Sequence, residues 1–425
     1  MSEFQEICIS DVILSANTGL DAIKRAPIVL NDTGIKCLRI QDVSQEKKFE
    51  DWGFTNVEER NFYKFQLKKN DIIVARTGAS IGVNKIIEEN SNAVFNNGLI
   101  RIRVNENLCD SKYLFYNFRT SNYNAYIDSI SGGTSTQPNM QINALLRYEI
   151  SLPPIPTQKA IAHILGSLDD KIELLRQMNE TLEAMARALF KSWFVDFDPV
   201  RKKADGLPTG LPKEVEDMFP SEFVDSELGE IPKGWKVGKL GDYIQILDLK
   251  RIPLSGAERA KRKGTYPYHG ATSIMDYVDD FIFEGIFVLL GEDGSVIKED
   301  STPFVQYVWG KIWVNNHAHV LLGNGISNEH LKVFLEQVNI SAFVNGAVQA
   351  KLNQENMKKI PFIFSSNSIN KAYGNLINNW FEIFRSNFEQ IQTLVTIRDS
   401  LLPKLISGEL ELSDNAISKI LEPAK

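Results

Sequence analysis

The chain has few cysteines and no long apolar run, and each absence excludes a class of protein. Its three cysteines, Cys8, Cys37 and Cys109, form no C-x-x-C pair, which disfavours a disulfide scaffold or a cysteine-based zinc site. The most apolar run, at 281–290, is far shorter than the ~20 residues of a membrane helix. The first residues lack the basic start and apolar core of a secretion signal. We therefore expect a cytoplasmic protein with reduced thiols and no membrane contact.

Sequence motifs of catalysis are missing as well. The chain contains no G-x-x-x-x-G-K-[ST] phosphate loop, and its one Pro-Pro pair, at 153–154, lacks the Asn or Asp of a methyltransferase motif. His317 and His319 would share one face of a strand, but no third histidine or cysteine lies near them in the sequence. Ordinary strand positions are therefore favoured over a metal site. The sequence predicts no catalytic residue, no metal site and no cofactor bound by this chain.

An overall excess of positive charge is absent too. The net charge is −7, so charge alone neither indicates nor excludes binding to nucleic acid. The basic residues form local clusters instead, which are compatible with a solvated surface or with phosphate binding. The largest, at 250–263, comprises Lys250, Arg251, Arg259, Lys261, Arg262 and Lys263. Thinner counterparts are Lys24-Arg25, Lys47-Lys48 and Lys68-Lys69.

Two segments of the chain carry a heptad pattern. In "QKAIAHILGSLDDKIELLRQMNETLEAMARALFKSWF" (158–194), with Thr157 as the expected N-cap, apolar residues recur every seven positions in two phases. One phase contains Ile161, Leu168, Leu175, Leu182 and Leu189, and the other contains Leu165, Ile172, Asn179, Ala186 and Trp193. A segment near the end, "INKAYGNLINNWFEIFRSNFEQIQTLVTIRDSLLPKLISGEL", repeats the pattern with Asn387 near its middle. A coiled coil is favoured over two separate core helices.

The two segments can pair with each other in antiparallel orientation. Asn179 and Asn387 would then lie at the same level of the seam, where a buried Asn pair fixes the register although it lowers stability. Helices of this length would form a rod of roughly 55 Å, at about 1.5 Å per residue. We expect such a rod to act as a spacer.

The blocks that precede the two helices resemble each other in the order of their motifs. "DIIVARTGASIG" (71–82) corresponds to "GIFVLLGEDGS" (285–295), and "VFNNGLIRIRV" (94–104) corresponds to "WVNNHAHVLL" (313–322). Further along, Ile142-Asn143 is matched with Leu352-Asn353. Each block mixes short apolar runs with glycine turns. The sequence therefore predicts an internal repeat of two mixed α/β blocks, each followed by a long helix.

Four stretches, taken together, carry a family resemblance over essentially the whole chain. They are "ISLPPIPTQKAIAHILGSLDDKIEL", "LFKSWFVDFDPV", "ELGEIPKGWKVGKLGDY" and "LLPKLISGEL". With this layout the chain resembles the specificity subunits of type I restriction–modification enzymes. The resemblance implies an α+β fold in which two mixed α/β target-recognition domains are separated by two long helices, paired as an antiparallel coiled coil.

The domain boundaries expected on this basis cover the whole chain. They are 1–154 for the first target-recognition domain, 155–200 for the central helix, 201–234 for a linker, 235–364 for the second domain, 365–411 for the C-terminal helix and 412–425 for a tail.

The resemblance also implies a function. The chain would be a non-catalytic subunit that binds double-stranded DNA, one half-site per domain, with the spacing set by the helical rod. Its partners would be two methyltransferase subunits and the motor-nuclease subunits, which would use S-adenosylmethionine, ATP and Mg²⁺. The alternative is a two-domain scaffold on a coiled-coil rod that binds proteins and does not contact DNA.

Candidate site residues follow from the resemblance. The basic clusters named above would contact phosphates. Residues that would read bases are Arg39, Gln41 and Arg76 in the first block and His269 in the second. Trp193 and Phe194 would anchor a partner, although the seam position of Trp193 is equally compatible with a core role.

Overall fold

The structure is a computed structural model that describes residues 4–131, 139–346 and 350–422. It divides into two compact units. The first unit is Met1–Leu174 together with Gln390–Lys425, and the second is Leu175–Glu389. The stretches 132–138 and 347–349 belong to the matched motifs "SGGTSTQPNMQIN" (131–143) and "VNGAVQAKLN" (344–353) of the predicted repeat, and they lie outside the described residues. No helix within the described ranges is long and apolar enough to cross a membrane. The domain boundaries given above stay a prediction.

The helices and strands are numbered along the chain. The helices are α1 (Ile40–Ser44), α2 (Glu59–Phe65), α3 (Ser111–Asn117), α4 (Ser121–Ser131), α5 (Ile142–Leu145), α6 (Ile155–Phe194), α7 (Asp198–Ala204), α8 (Lys213–Glu216), α9 (Gly256–Lys261), α10 (Asn328–Leu335), α11 (Gln354–Lys358), α12 (Asn367–Ser407) and α13 (Asp414–Leu421). The strands are β1 (Gln5–Cys8), β2 (Ile13–Thr18), β3 (Ile28–Val29), β4 (Lys36–Leu38), β5 (Gly53–Thr55), β6 (Ile72–Ala75), β7 (Asn84–Ile86), β8 (Ala93–Phe95), β9 (Leu99–Val104), β10 (Glu149–Leu152), β11 (Phe223–Ser226), β12 (Gly229–Pro232), β13 (Lys236–Lys239), β14 (Ile244–Ile246), β15 (Lys263–His269), β16 (Ile274–Val278), β17 (Phe283–Gly291), β18 (Val305–Val314), β19 (Ala318–Gly323) and β20 (Pro361–Phe364).

The first unit contains two four-stranded sheets. One has the antiparallel order β2-β9-β6-β7, and the other has the order β3-β5-β4-β8, in which β4 and β8 run parallel. Strand β6 is buried at all four positions, as its apolar sequence "IIVA" predicts for a central strand. The ribbon of β1 and β10 joins the beginning and the end of the block.

The second unit is built around a six-stranded sheet of order β14-β19-β17-β18-β15-β16. Strands β15 and β18 run parallel, and the other neighbouring strands of this sheet run antiparallel. A ribbon of β13 and β20 again joins the beginning and the end of the block. The order β2-β9-β6-β7 thus has its counterpart in β14-β19-β17-β18. This shared topology is the structural form of the internal repeat.

The turns after β6 and β17 correspond in detail. Gly78 and Gly294 adopt φ angles of +74° and +77°, a backbone conformation that glycine adopts without the steric cost of a side chain. The position of the last repeat motif needs a correction, however. The amide of Met140 donates to the carbonyl of Arg76, and the amide of Leu352 donates to the carbonyl of Glu292, both at 2.8 Å.

Met140 therefore corresponds to Leu352, and the match of Ile142 with Leu352 was wrong by two residues. The helices that follow agree with the corrected register, since Gln141 precedes α5 and Asn353 precedes α11 as N-cap residues. The two sequences have little in common around these turns, so only the hydrogen bonds show which residues correspond. This explains the error of two residues.

The two long helices pair in antiparallel orientation, so the predicted fold class is confirmed. Within the second unit, Tyr373 near the start of α12 donates to the carbonyl of Ala186 at 3.1 Å, whereas Asn387 further along α12 contacts Asn179 earlier in α6. Helix α6 begins at Ile155 rather than after Thr157. Pro156 is tolerated in its first turn because the amide it lacks has no acceptor there.

Candidate nucleic-acid interface

Arginines of the large basic cluster are held by other groups of the second unit. Arg251 donates to Glu292 at 2.8 Å and to the carbonyl of Ala318 at 2.7 Å. Arg259 pairs with Asp276, lies 5.1 Å from the ring centroid of Tyr268, and donates to the carbonyl of Leu254 at 2.7 Å. These contacts tie the segment between β14 and α9 to the sheet, so both guanidinium groups have a structural role.

The remaining members of the cluster fall into two groups. Arg262 pairs with Asp279 at 2.8 Å and lies 4.8 Å from the ring centroid of Trp313, and Lys263 lies 2.6 Å from the carboxylate of Asp276. Lys250 and Lys261 are exposed and form no ion pair within the described part of the chain. These two lysines are therefore the members most available to a phosphate, and the role of the whole cluster stays a prediction.

The basic pairs of the first unit lie in separate turns. Lys24 and Arg25 are exposed in the turn before β3, and Lys68 and Lys69 are exposed between α2 and β6. Lys48, which follows α1, is exposed as well. Lys47 is half-buried, and its Nζ lies 3.6 Å from the buried carboxylate of Asp42.

The candidate base-reading residues differ in their access to a partner. Arg39 uses its guanidinium to bind Asp42 at the start of α1, with 3.0 Å from Nε to Oδ2. Gln41 is exposed on the same helix. Arg76 donates to the carbonyl of Met140 at 3.2 Å. Arg39 and Gln41 thus lie together at α1, whereas Arg76 follows β6, and Gln41 is the most accessible of the three.

His269 is enclosed in the second unit and has little access to DNA. It is 5% exposed, and its Nδ1 lies 3.2 Å from the side-chain oxygen of Gln306. Burial lowers the pKa of His269, so the ring is neutral at neutral pH. A base contact by this ring would require the end of β15 to open, and its proposed role has no support from its position.

A polar cluster that sequence reasoning missed lies where β14, β17 and β19 meet. His319 Nδ1 lies 2.6 Å from Asp248 Oδ2, and His319 Nε2 donates to the carbonyl of Leu352 at 2.8 Å. Burial raises the pKa of Asp248, but hydrogen bonds from His319 and the Val320 amide and the charge of Arg251 outweigh it, so that this pKa is below its ordinary value. The three segments are distant in the chain, and only the strand order brings them together.

This cluster has the residue types of a metal site, because Asp248, Glu292 and His319 bring ligand atoms within 4.8 Å of one another. Each donor is already engaged, however. Both ring nitrogens of His319 face protein acceptors, and Arg251 occupies the carboxylate of Glu292. A metal ion would have to displace a guanidinium group and several hydrogen bonds. We therefore interpret the cluster as a buried network of hydrogen bonds, together with the ion pair of Arg251 and Glu292, that holds three strands.

The two asparagines predicted for the helix seam meet in the second unit. Asn387 Nδ2 donates to Asn179 Oδ1 at 2.9 Å, and Asn179 Nδ2 donates to the carbonyl of Phe384 at 3.2 Å. Both side chains are buried. The first unit contains another polar contact in the seam, since Arg398 Nη1 lies 2.7 Å from Asp169 Oδ1 and Tyr116 donates to Asp169 Oδ2 at 2.8 Å.

Trp193 and Phe194 lie in the core of the second unit and not on its surface. Their exposed fractions are 1% and 4%. Trp193 packs edge-on against Phe219, with 5.0 Å between ring centroids, and Phe194 packs against Tyr373 in the same way. Neither ring presents an area to which a partner could bind, so the core role left open for Trp193 is the one that its position favours.

Comparison with known proteins identifies the family. The family model described as "Type I restriction modification DNA specificity domain" matches residues 1–184 and 232–378. The chain belongs to this family. The two matches contain the two copies of the repeated sheet, so the predicted resemblance is confirmed.

Relatives within the type I specificity family extend over most of the chain. The MjaIX specificity subunit of Methanocaldococcus jannaschii is 29% identical over 72% of this chain and 70% of its own length. The HindI specificity subunit of Haemophilus influenzae is 25% identical over 96% of this chain and 100% of its own length. The crystal structure of the type I S subunit from M. genitalium matches the fold, with a TM-score of 0.59, 16% identity and 97% of each chain covered.

Proposed function

We propose that this chain recognises DNA as the specificity subunit of a type I restriction–modification complex, with one half of a bipartite target bound by each unit. The observation that carries the proposal is the duplication of the sheet, β2-β9-β6-β7 in one unit and β14-β19-β17-β18 in the other. Two copies of one binding fold in a chain of the type I specificity family suit a target of two parts. The paired helices α6 and α12 then fix the unread gap.

Partner subunits supply the chemistry in this proposal. Two methyltransferase subunits and the motor-nuclease subunits would use S-adenosylmethionine, ATP and Mg²⁺, and this chain would contribute recognition. Apolar side chains on the outer faces of the helices support a partner surface there. In the second unit, Met178 and Met185 on α6 and Leu376 and Ile383 on α12 are exposed, and they replace Trp193 and Phe194 as candidate anchors.

The proposal is tested by expressing the chain with the methyltransferase encoded beside it. We expect the two to co-purify and host DNA to carry methylated adenines within one sequence of two short parts and a constant gap. Deletion of the gene for this chain should abolish those methyl groups. Co-purification without any sequence-specific methylation or DNA affinity would contradict the proposal and support the protein-binding scaffold.

A further inference from the structure

The loop that follows the first strand of the repeated sheet has a similar sequence in the two units. After β2 the chain reads "LDAIKRAPI" (20–28), and after β14 it reads "LDLKRIPL" (247–254). We call 20–27 the first KR loop and 247–253 the second KR loop. Because β2 and β14 hold the same place in the two sheets, the loops are equivalent in the fold. The similarity extends the internal repeat to a segment that carries charge.

Each KR loop exposes a large aliphatic side chain directly before an exposed lysine, and the second loop also exposes Ile252. Ile23 is 82% exposed and Leu249 is fully exposed, and Lys24 and Lys250 follow them on the surface. One isolated apolar residue at the surface needs no explanation. The recurrence of an exposed aliphatic residue and an exposed lysine at the same place in both units requires an explanation, because packing within the chain does not account for it.

An aspartate near the start of each KR loop accepts hydrogen bonds from backbone amides, those of the loop itself in the first unit and that of the neighbouring strand β19 in the second. Asp21 Oδ1 accepts from the amides of Ile23 at 3.1 Å and Lys24 at 2.8 Å, and these two bonds lower the pKa of Asp21. Asp248 Oδ1 accepts from the amide of Val320 at 2.9 Å. The aliphatic side chain and the lysine are therefore held in an outward position before any partner binds, which reduces the entropy lost on binding.

We propose that both KR loops bind duplex DNA, with Lys24 and Lys250 on backbone phosphates and Ile23 and Leu249 inserted as wedges at base steps in the minor groove. This inference rests on the proposed function. Proteins that enter the minor groove combine cationic side chains with aliphatic wedges that partly unstack a base step. A protein partner would match the exposed aliphatic groups but not the adjacent lysines, and phosphates match both the charge and its repetition in two units.

The two loops differ in one cation. Arg25 is exposed beside Lys24, whereas Arg251 is held by Glu292 and the carbonyl of Ala318. The first KR loop can therefore contact two phosphates and the second only one. Electrostatic binding by the first loop should accordingly depend more strongly on salt than binding by the second.

The test uses the full chain in complex with its methyltransferase partner and a duplex that carries the sequence methylated in the host. In the Lys24→Gln/Lys250→Gln variant, we expect the slope of log K against log salt to fall by about 1.8, because each phosphate contact contributes about 0.9. Ile23→Ser and Leu249→Ser should each weaken binding about tenfold to a hundredfold and leave the slope unchanged, because they remove burial of one aliphatic side chain.

Insertion of the two aliphatic side chains between base pairs is measured by the fluorescence of 2-aminopurine, placed at successive positions of the duplex. The wild-type complex should increase the 2-aminopurine fluorescence at one position in each half-site, because an unstacked base is less quenched. Ile23→Ser should abolish the increase in one half-site, and Leu249→Ser should abolish the increase in the other. Leu30→Ser is the apolar control, because Leu30 is fully exposed in the first unit outside the KR loops. Lys112→Gln, at an exposed position of α3 outside the KR loops and the two long helices, is the cationic control.

The outcomes separate this inference from the proposed function. A wild-type complex without DNA affinity would refute the proposed function itself. A wild-type complex that binds DNA, with KR-loop variants indistinguishable from Leu30→Ser and Lys112→Gln, would refute only the role of the loops. Unchanged DNA affinity with loss of the methyltransferase from Ile23→Ser or Leu249→Ser would assign the loops to a protein interface and also overturn the inference.

Discussion

At the scale of single residues, His330 is the clearest departure from good packing. It is fully buried on α10, and neither ring nitrogen has a hydrogen-bond partner among the residues that the structure describes. The ring lies 4.8 Å from Tyr373 and 4.9 Å from Phe194, measured between ring centroids. Burial lowers the pKa of His330 to about 3. The side chain therefore occupies the position of an apolar residue while it carries two unsatisfied polar atoms.

We expect His330→Leu to stabilise the second unit, most strongly in acid. Between pH 6.5 and 3 the unfolded imidazole is protonated and the folded one is not, so the wild type loses about 1.4 kcal/mol per pH unit as the pH falls. At neutral pH the gain is about 1–3 kcal/mol from removal of a buried unsatisfied group. Denaturant unfolding at pH 5 and pH 7.5 measures both effects, and His163→Leu on the exposed face of α6 is the control. An equal change at the two pH values would contradict the assignment.

The basic cluster at 250–263 yields a second prediction at this scale, because structure divides it into held and exposed cations. Arg259→Gln should destabilise the second unit by about 1–3 kcal/mol, since it removes an ion pair, a carbonyl contact and the stacking on Tyr268. Lys261→Gln should leave stability unchanged and reduce the salt dependence of DNA binding. The melting temperature and the salt slope of each variant decide the matter. Equal melting temperatures would show that Arg259 is not a structural residue.

At the scale of elements, the coiled coil was the part of the fold that the sequence predicted best. A heptad repeat is a regular signal over about forty residues, and it places apolar side chains on one face without knowledge of the rest of the fold. In the second segment, the heptad phase of Ile377, Phe384 and Ile391 also predicts a seam position for Arg398. Its partner Asp169 could not be predicted, because ion pairs across two helices depend on the register and on side-chain direction as well as on spacing.

Shorter elements escaped prediction for the same reason. Helix α13, with Ser413 as N-cap, lies in a stretch expected to be a tail, although the serine and the apolar spacing of Ile417 and Leu421 offered a signal. The cluster of Asp248, Glu292 and His319 had none, because its members are brought together only by the strand order. The accessibility of the candidate base-reading residues could not be predicted either, because residue type alone does not show that His269 is buried.

The Asn pair in the seam makes a prediction for the helix pair as an element. Asn387→Leu should destabilise the second unit by about 1–3 kcal/mol, because the buried side-chain oxygen of Asn179 loses the Asn387 amide that donates to it. The double variant Asn179→Leu/Asn387→Leu should be at least as stable as the wild type, because an apolar pair replaces two buried polar groups. Thermal unfolding of the two single variants and the double variant gives the coupling energy. Additive losses in the double variant would show that the two side chains do not interact.

At the scale of the whole molecule, the repeat and the helix pair serve the same proposed function. Each unit packs its block against one stretch of α6 and one stretch of α12, because its apolar core contains side chains from the block and from both helices. A chain of this design can change a recognition loop in one unit without changing the other.

The length of the helices should then determine the unread gap of the DNA target. Duplication of the heptad 172–178 in α6 together with 388–394 in α12, which the register of the Asn179–Asn387 pair matches, adds seven residues to both helices. At about 1.5 Å per residue this is roughly 10 Å, or about three base pairs of 3.4 Å. We expect the methylated sequence to keep both half-sites and to gain about three base pairs between them, as read by sequencing of methylated adenines. Duplication in α6 alone is the control, because it mismatches the seam and should abolish methylation. An unchanged gap in a stable double duplication would show that the helices do not set the spacing.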